Sequence, residues 1–100
     1  MPALLSESEI VSRLAPLPDW SREDRQISRT VKWKNFVQAM AFVNAVAEIA
    51  ERHNHHPDMD IRWNRVRLVL STHSAGGLTE LDFAVAGEID RAASGASSGA

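Results

Sequence analysis

Apolar residues recur every three or four positions in three segments of the chain, which is the spacing of amphipathic helices. Ser6 and Glu9 have the spacing of a capping box at the start of a short first helix, which Pro16 ends. The second helix is predicted from Asn35 to about His53, and the third from about Leu78 to Ala93. The stripes expected to be buried are Ile10, Val11 and Leu14 in the first helix, Phe36, Met40, Val43, Val46, Ala47 and Ala50 in the second, and Leu81, Ala84, Val85, Ile89 and Ala92 in the third.

Polar and apolar residues alternate in the two intervals between these helices, as in strands with one buried face. Residues 20–33 predict a hairpin with its turn at residues 22–25, and residues 59–72 predict a second hairpin. A two-residue turn at Asn64 and Arg65 would fix the register of the second hairpin. The buried face would then carry three opposed pairs, Trp63 with Val66, Ile61 with Leu68, and Met59 with Leu70.

The order of these elements predicts the fold class. Helices that alternate with antiparallel hairpins indicate an α+β protein, an α-ββ-α-ββ-α sandwich with the helices packed on one face of a four-stranded antiparallel sheet. A chain of 100 residues has the length of one domain, which we expect over residues 1–93. Residues 94–100 lack an apolar anchor and are expected to form a disordered tail.

Composition and charge exclude several classes of function. A formal net charge of −2 argues against nucleic acid as a partner, which usually requires a basic surface. No apolar run approaches the ~18 residues that span a membrane, and the first residues do not resemble a signal peptide. The chain has no cysteine, which excludes thiolate chemistry and disulfides and fits a reducing compartment. We therefore expect a cytoplasmic protein without a membrane partner.

All four histidines of the chain lie in two short segments, "ERHNHHP" at residues 51–57 and "STH" at residues 71–73. The first segment stands where the long helix ends, because Pro57 disfavours helical backbone before it. Extending the predicted hairpin register brings His56 opposite His73 at one end of the sheet.

The residues alone leave three interpretations of this cluster open. A metal site would use a common ligand, but neighbouring histidines in an extended segment point to opposite sides, and the spacing lacks the i,i+4 pair of helical zinc sites. An acid–base site needs only imidazoles that ionise near neutral pH. The histidines could also be ordinary surface residues. Two nearby carboxylates have simple structural interpretations, Glu51 as a solvated helix residue and Asp82 as the partner of Thr79 in a second capping box.

Three motifs have specific spacings: Glu51-x-x-x-His55-His56-Pro57, Trp63-Asn64-x-Val66, and Ser71-Thr72-His73-x-x-x-Gly77-Leu78-Thr79-x-x-Asp82. Together they resemble the pterin-4α-carbinolamine dehydratases, from the first predicted helix through the last. The resemblance implies the same α-ββ-α-ββ-α fold. It implies dehydration of 4a-hydroxytetrahydropterin to quinonoid dihydropterin, without a metal or any other cofactor.

The resemblance also implies roles for particular residues. It makes His55, His56 and His73 the catalytic histidines, and His53 matches no family position. It implies substrate-binding or supporting roles for Glu51, Asp82, Pro57 and Thr72. Within the set, we expect His55 and His73 to act as proton donor and acceptor, and His56 to bind and orient the pterin.

The expected partners are a pterin substrate, further copies of the chain as a dimer or tetramer, and a functional link to an aromatic amino acid hydroxylase. Arg62 and Arg67, opposed in the predicted register, suggest that the polar sheet face or a helix face is covered in the oligomer. The alternative function is a non-enzymatic interaction module that stabilises a partner protein. Animal members of the family double as cofactors of a transcription factor, but this chain has Met59 and Ala75 where they carry tryptophan and cysteine.

Overall fold

The computed structural model describes residues 3–98 and contains three helices and four strands in the predicted order. The elements are α1 (Glu7–Leu14), β1 (Ser21–Glu23), β2 (Gln26–Lys32), α2 (Phe36–His53), β3 (Asp58–Arg62), β4 (Arg65–Leu70), a 3₁₀ turn (His73–Ala75) and α3 (Glu80–Ser98). The strands form one antiparallel sheet in the order β1-β2-β4-β3. The predicted α+β sandwich is therefore confirmed.

The hydrophobic core lies between one face of the two central strands and the helices. Alternate residues of β2 and β4 are buried, and their side chains pack against apolar residues of α2 and α3. These core residues are Ile27, Val31, Val66, Leu68 and Leu70 from the sheet, Phe42, Val46 and Ile49 from α2, and Phe83, Val85 and Ile89 from α3. Because strand side chains alternate between faces, the covered side is the one that the sequence pattern predicts.

Side chains cap the first turns of α1 and α2, and the cap of α1 is the predicted one. Ser6 and Glu9 form the capping box of α1, and the side chain of Asn35 accepts a hydrogen bond from the backbone N–H of Gln38 at 2.9 Å at the start of α2. The C-terminal end of α3 lies at Ser98, so the predicted end of this helix at Ala93 is too early. Residues 99 and 100 lie outside the described residues, and the disorder expected for residues 94–100 stays a prediction.

The predicted buried stripes are only partly correct. Ile10, Val46 and Ala50 are buried as expected, whereas Val11 is exposed. Phe36, Ala47 and Ala84 are also exposed, and their places in the core are taken by Ala39, Phe42, Ile49, Phe83 and Ala86. Both α2 and α3 carry apolar residues around most of their circumference. Helical periodicity therefore identifies the helices but does not select which face is buried.

The turn of the first hairpin agrees with the prediction, whereas the turn and the register of the second hairpin are wrong by small shifts. The first turn lies at Asp24 and Arg25, within the predicted residues 22–25. The second lies at Trp63 and Asn64, one position before the predicted one. Arg62 consequently pairs with Arg65. Ile61 therefore lies opposite Val66, and Met59 lies opposite Leu68.

Asn64 explains why the turn lies where it does. Its side-chain amide is buried and donates to the carbonyl of Trp33 at 2.8 Å, and its own carbonyl accepts from the N–H of Trp33 at 2.7 Å. These bonds join the turn to the segment before α2 and hold Trp63 at a φ of 52°, in the left-handed region that glycine usually occupies. No local sequence pattern reveals a bond between residues this far apart in the chain.

The helices do not cover the edge strand of the second hairpin or its turn. Val66, Leu68 and Leu70 are buried as predicted, but Met59, Ile61 and Trp63 are exposed. Strand β3 lies at the edge of the sheet, next to β4 only. The helices therefore cover the central strands and leave an apolar edge, defined by Met59, Ile61 and Trp63, open in the single chain.

Candidate active site

Three of the four histidines lie at one end of the sheet. His55 and His56 directly precede β3, and His73 follows β4, which is antiparallel to β3. Asn54 ends α2 in the left-handed conformation, with φ 47°, and the N–H of His55 donates to the carbonyl of Ala50 at 3.0 Å. Pro57 is buried at the entry to β3. These backbone features turn the chain from the helix into the strand and fix where the two neighbouring histidines point.

The corrected register changes which of these residues face each other. Continuing the pairing of Asp58 with Val69 places His55 opposite Thr72 and His56 opposite Ser71. The predicted opposition of His56 and His73 is therefore wrong, because it was extrapolated from a hairpin turn that lies one residue away from its true place.

His55 is held by a buried carboxylate. Its Nε2 lies 2.7 Å from Oδ1 of Asp82, whose side chain is fully buried, while the His55 ring is 11% exposed. The other oxygen, Oδ2, accepts from the hydroxyl of Thr72 at 2.8 Å and from the backbone N–H of Thr79 at 2.9 Å. A carboxylate with this many donors needs no water to satisfy it, which makes it a rigid partner for the imidazole.

Asp82 also has the structural role that the sequence predicted for it. It is the third residue of α3 and accepts a hydrogen bond from the backbone N–H of Thr79, as a capping-box carboxylate does. The Thr79 hydroxyl accepts from the N–H of Leu81 at 3.2 Å and lies 2.8 Å from the Thr72 hydroxyl. One carboxylate thus caps a helix and contacts a histidine. Thr79 is a member of this network that the site prediction missed, although its spacing to Asp82 was recognised as a cap.

His56 has a different environment from its neighbour. Its Nε2 lies 2.5 Å from Oε2 of Glu51, and both side chains are largely exposed, at 55% and 77%. Glu51 lies in the last turn of α2, so the pair bridges the helix and the exit segment. The structure therefore gives Glu51 a histidine partner in addition to its exposure to solvent.

His73 opens the 3₁₀ turn after β4 and is exposed. The turn is closed by Gly76, whose φ of 82° favours glycine, and by hydrogen bonds between Thr72 and Gly77. His73 lines a pocket of about 700 Å³ with residues of the β1–β2 hairpin, Glu23, Asp24, Arg25 and Gln26, and with Ser71 and Gly76. The lining does not include His55 or His56, so the three histidines share an end of the sheet without lining one common cavity.

His53, which matches no motif position, contacts a carboxylate of α3. Its Nε2 contacts Oε2 of Glu88, and Arg52 lies 3.1 Å from the other oxygen of the same carboxylate. The hydrogen bond from His53 holds the pKa of Glu88 below its ordinary value of 4.5. This contact ties the end of α2 to the middle of α3 on the surface.

The described residues contain no group of three histidine, aspartate or glutamate side chains placed to hold a metal ion. In the same part of the chain, no helix is long and apolar enough to cross a membrane.

Comparisons with known proteins identify the family. The family model described as pterin 4 alpha carbinolamine dehydratase matches residues 3–92. A protein from Chloroflexus aurantiacus, provisionally named a pterin-4-alpha-carbinolamine dehydratase, is 60% identical over 86 residues, which are 86% of this chain and 92% of that protein. A protein from Nocardia farcinica with the same provisional name is 54% identical over 90 residues, covering 90% of this chain and 95% of the other.

Two solved structures have the same fold. A protein described as a transcriptional coactivator/pterin dehydratase from Brucella melitensis superimposes with a TM-score of 0.86 at 37% identity, over 89% of this chain and 97% of that one. A pterin dehydratase-like protein, described as a RuBisCO assembly factor in the alpha-carboxysome, gives a TM-score of 0.61 at 21% identity over 74% and 86% of the two chains, and shares the fold alone. From the family model and the relatives together, this chain belongs to the pterin-4-alpha-carbinolamine dehydratase family.

Proposed function

We propose that this chain dehydrates 4a-hydroxytetrahydropterin to quinonoid dihydropterin and water by acid–base catalysis with histidines. Family membership supports the substrate class. The observation that carries the proposal is that His55, His56 and His73 gather at one end of the sheet, with His55 held on buried Asp82. A constellation that only maintained the fold would not need three imidazoles with an edge open to solvent.

The reaction requires two proton transfers. The C4a hydroxyl leaves as water after it receives a proton, and the adjacent ring N–H loses a proton as the carbon–nitrogen double bond forms. We assign these transfers to His55 and His73, and the binding and orientation of the pterin to His56 with Glu51. His55 suits a proton-transfer role because Asp82 fixes its ring, whereas the exposed His56–Glu51 pair offers polar groups to a substrate. Pro57 and Thr72 support this arrangement through the backbone and through Asp82.

The dehydration needs neither a metal nor an organic cofactor, because only protons move and the leaving group is water. We expect the purified protein to dehydrate chemically generated carbinolamine in a stopped-flow assay, with the same rate in the presence of a chelator. No acceleration over the spontaneous reaction would refute the function. A rate that falls on chelation and returns with one added metal would refute the mechanism.

Single substitutions test the division of roles. His55→Ala and His73→Ala should lower kcat by ~10²–10⁴-fold, as removal of a general acid or base does. His56→Ala should act mainly on KM. His53→Ala is the matched control, since His53 pairs with Glu88 on the surface and should leave the rate near the wild-type value. Equal losses for His53→Ala and His73→Ala would contradict the assignment.

The product also suggests the physiological context of the reaction. 4a-Hydroxytetrahydropterin forms when an aromatic amino acid hydroxylase consumes tetrahydropterin, so we propose that this chain supports recycling of that cofactor. The link is functional, since the free carbinolamine is the shared species. Deleting the protein in a host that contains such a hydroxylase should slow recycling without changing the hydroxylase itself.

We also propose that the chain is a homo-oligomer, a dimer or tetramer, and that its apolar edge of Met59, Ile61 and Trp63 is covered by another copy. The predicted opposition of Arg62 and Arg67 does not support this proposal, because Arg67 pairs with Asp60. Its guanidinium also lies 3.1 Å from the carboxylate of Glu23. An exposed apolar edge strand is instead the feature that calls for a partner.

The sequence of β3 suits antiparallel pairing with itself. Pairing centred on Asp60 would place Asp58 opposite Arg62 and Met59 opposite Ile61 in both directions. The two Asp60 carboxylates would face each other, and each lies 3.3 Å from its own Arg62. Light scattering at micromolar concentration should give a dimer or larger for the wild type. Ile61→Glu should shift it toward monomer, whereas Val11→Glu, an equally drastic change on exposed α1, should not. A monomeric wild type would contradict the proposal.

The same edge is the one observation that favours the alternative function, an interaction module that stabilises a partner protein. A structural relative is described as a coactivator as well as a dehydratase. If this function were the principal one, the carbinolamine assay would show no catalysis, and Ile61→Glu would abolish capture of a partner while His55→Ala would not.

A further inference from the structure

The hydrogen bonds around Asp82 permit only one set of directions. As a carboxylate, Asp82 can only accept hydrogen bonds, so the Thr72 hydroxyl must donate its single proton to Oδ2 at 2.8 Å. Thr72 then has no proton left for Thr79. The contact of 2.8 Å between the two hydroxyls must therefore be a bond donated by Thr79, whose oxygen in turn accepts from the N–H of Leu81.

The same reasoning fixes the proton on His55. Its Nε2 lies 2.7 Å from Oδ1 of Asp82, and this oxygen can only accept, so Nε2 must carry the proton when the ring is neutral. The other nitrogen, Nδ1, is then left with a lone pair. Nδ1 has no hydrogen-bond partner among the described residues, and it is not fully buried.

We propose that His55 exchanges protons with the substrate only through Nδ1, and that Thr72, Thr79 and Asp82 are positioning residues that enforce this tautomer. The functional part rests on the proposed dehydration, whereas the tautomer itself does not. The ring is 11% exposed, and Nδ1 keeps some of that exposure, since it has no partner and is not fully buried. The arrangement works as a carboxylate does for a catalytic imidazole elsewhere, by holding one tautomer and one orientation.

The network predicts an unusual result for Asp82→Asn. The backbone N–H of Thr79 and the hydroxyl of Thr72 still require an acceptor where Oδ2 stood, so the amide oxygen should occupy that position. The amide nitrogen then faces Nε2 of His55 as a donor. Nε2 must lose its proton to accept this bond, and the proton moves to Nδ1. Replacing one oxygen by nitrogen should therefore invert the tautomer of His55.

Long-range ¹H–¹⁵N correlation spectra of the imidazole report the tautomer directly. At a pH where the ring is neutral, wild-type His55 should be protonated on Nε2, and His55 of Asp82→Asn should be protonated on Nδ1. Glu51→Gln is the matched control, because it makes the same chemical change beside exposed His56 and should leave the His55 signals unchanged. A wild-type His55 protonated on Nδ1, or on both nitrogens in comparable amounts, would overturn the proposal. If Asp82→Asn does not fold, the wild-type spectrum still decides.

Kinetics test whether the tautomer matters for the reaction. Asp82→Asn should lower kcat by ~10²–10⁴-fold with KM near the wild-type value, since it inverts the neutral tautomer and removes the carboxylate that stabilises the imidazolium through which His55 exchanges protons. Thr72→Val should lower kcat on the order of tenfold or less, and Thr72→Ser, which keeps the hydroxyl, should restore it. A wild-type kcat in folded Asp82→Asn would overturn the positioning role and leave the dehydratase proposal intact. A wild type that shows the expected tautomer but no dehydratase activity would refute the dehydratase proposal and leave the tautomer assignment intact.

Discussion

The two neighbouring histidines should differ sharply in what they contribute to stability. His55 donates to a carboxylate with no exposure to solvent, so His55→Ala leaves Asp82 with two of its three donors. Hydrogen bonds to charged groups contribute about 1.5–3 kcal/mol to the free energy of unfolding, and the loss should fall in this range. His56→Ala removes an exposed pair with Glu51, and such pairs contribute about 0–1 kcal/mol.

Urea unfolding followed by tryptophan fluorescence measures this difference directly, because Trp20 and Trp33 are buried and report on the core. All variants should be compared at one protein concentration, since association would add to the apparent stability. Equal losses for His55→Ala and His56→Ala, or a larger loss for His56→Ala, would refute the assignment of His55 to the buried network.

Two further predictions concern contacts outside the site. Asn64→Ala should reduce the free energy of unfolding by about 1–3 kcal/mol, because it leaves the Trp33 carbonyl without its side-chain donor. Asn64→Asp should reduce it by at least as much, because it places an acceptor beside that carbonyl. Urea unfolding of both variants measures these losses. Because the pKa of Glu88 is lowered in the folded state, its contribution to stability is present above the unfolded pKa and is lost as the pH falls through the folded value. Thermal melts of the wild type and Glu88→Gln should therefore converge as the pH is lowered below 4.5, and a gap that stayed constant would contradict the pairing with His53.

Most of the fold could be predicted from the sequence because local patterns determine it. The capping boxes, the proline after α2 and the alternation of β2 and β4 each act over a few residues, and the structure confirms the element order that they imply. The register of the second hairpin depended on a contact between Asn64 and Trp33, which no local pattern reveals. The error of two residues in pairing preserves the alternation, so Met59 and Ile61 still share a face with Val66, Leu68 and Leu70, although Met59 and Ile61 are not buried as predicted.

The site was predicted less completely than the fold. Motif resemblance selected the histidines, but the pairing of His55 with Asp82 joins residues that are distant in the chain and follows only from the packing of α3 against the end of the sheet. Glu51 and Asp82 had equally simple structural interpretations, and Asp82 proved to have both a structural contact and a contact with the site. Sequence spacing could identify the cap at Thr79 and Asp82. The contact of the same carboxylate with an imidazole depends on its burial in the folded chain, which the spacing does not reveal.

The double use of Asp82 has a consequence for how this family can diverge. A lineage that abandons the chemistry but retains the fold can lose His55 at a cost in stability, because no helix depends on that imidazole for its first turn. Asp82 remains under selection in such a lineage, since α3 still needs its N-terminal carboxylate. If His55 has the catalytic role proposed above, we expect the aspartate to persist in relatives that keep only the fold, and the histidine to persist in relatives that keep the dehydration.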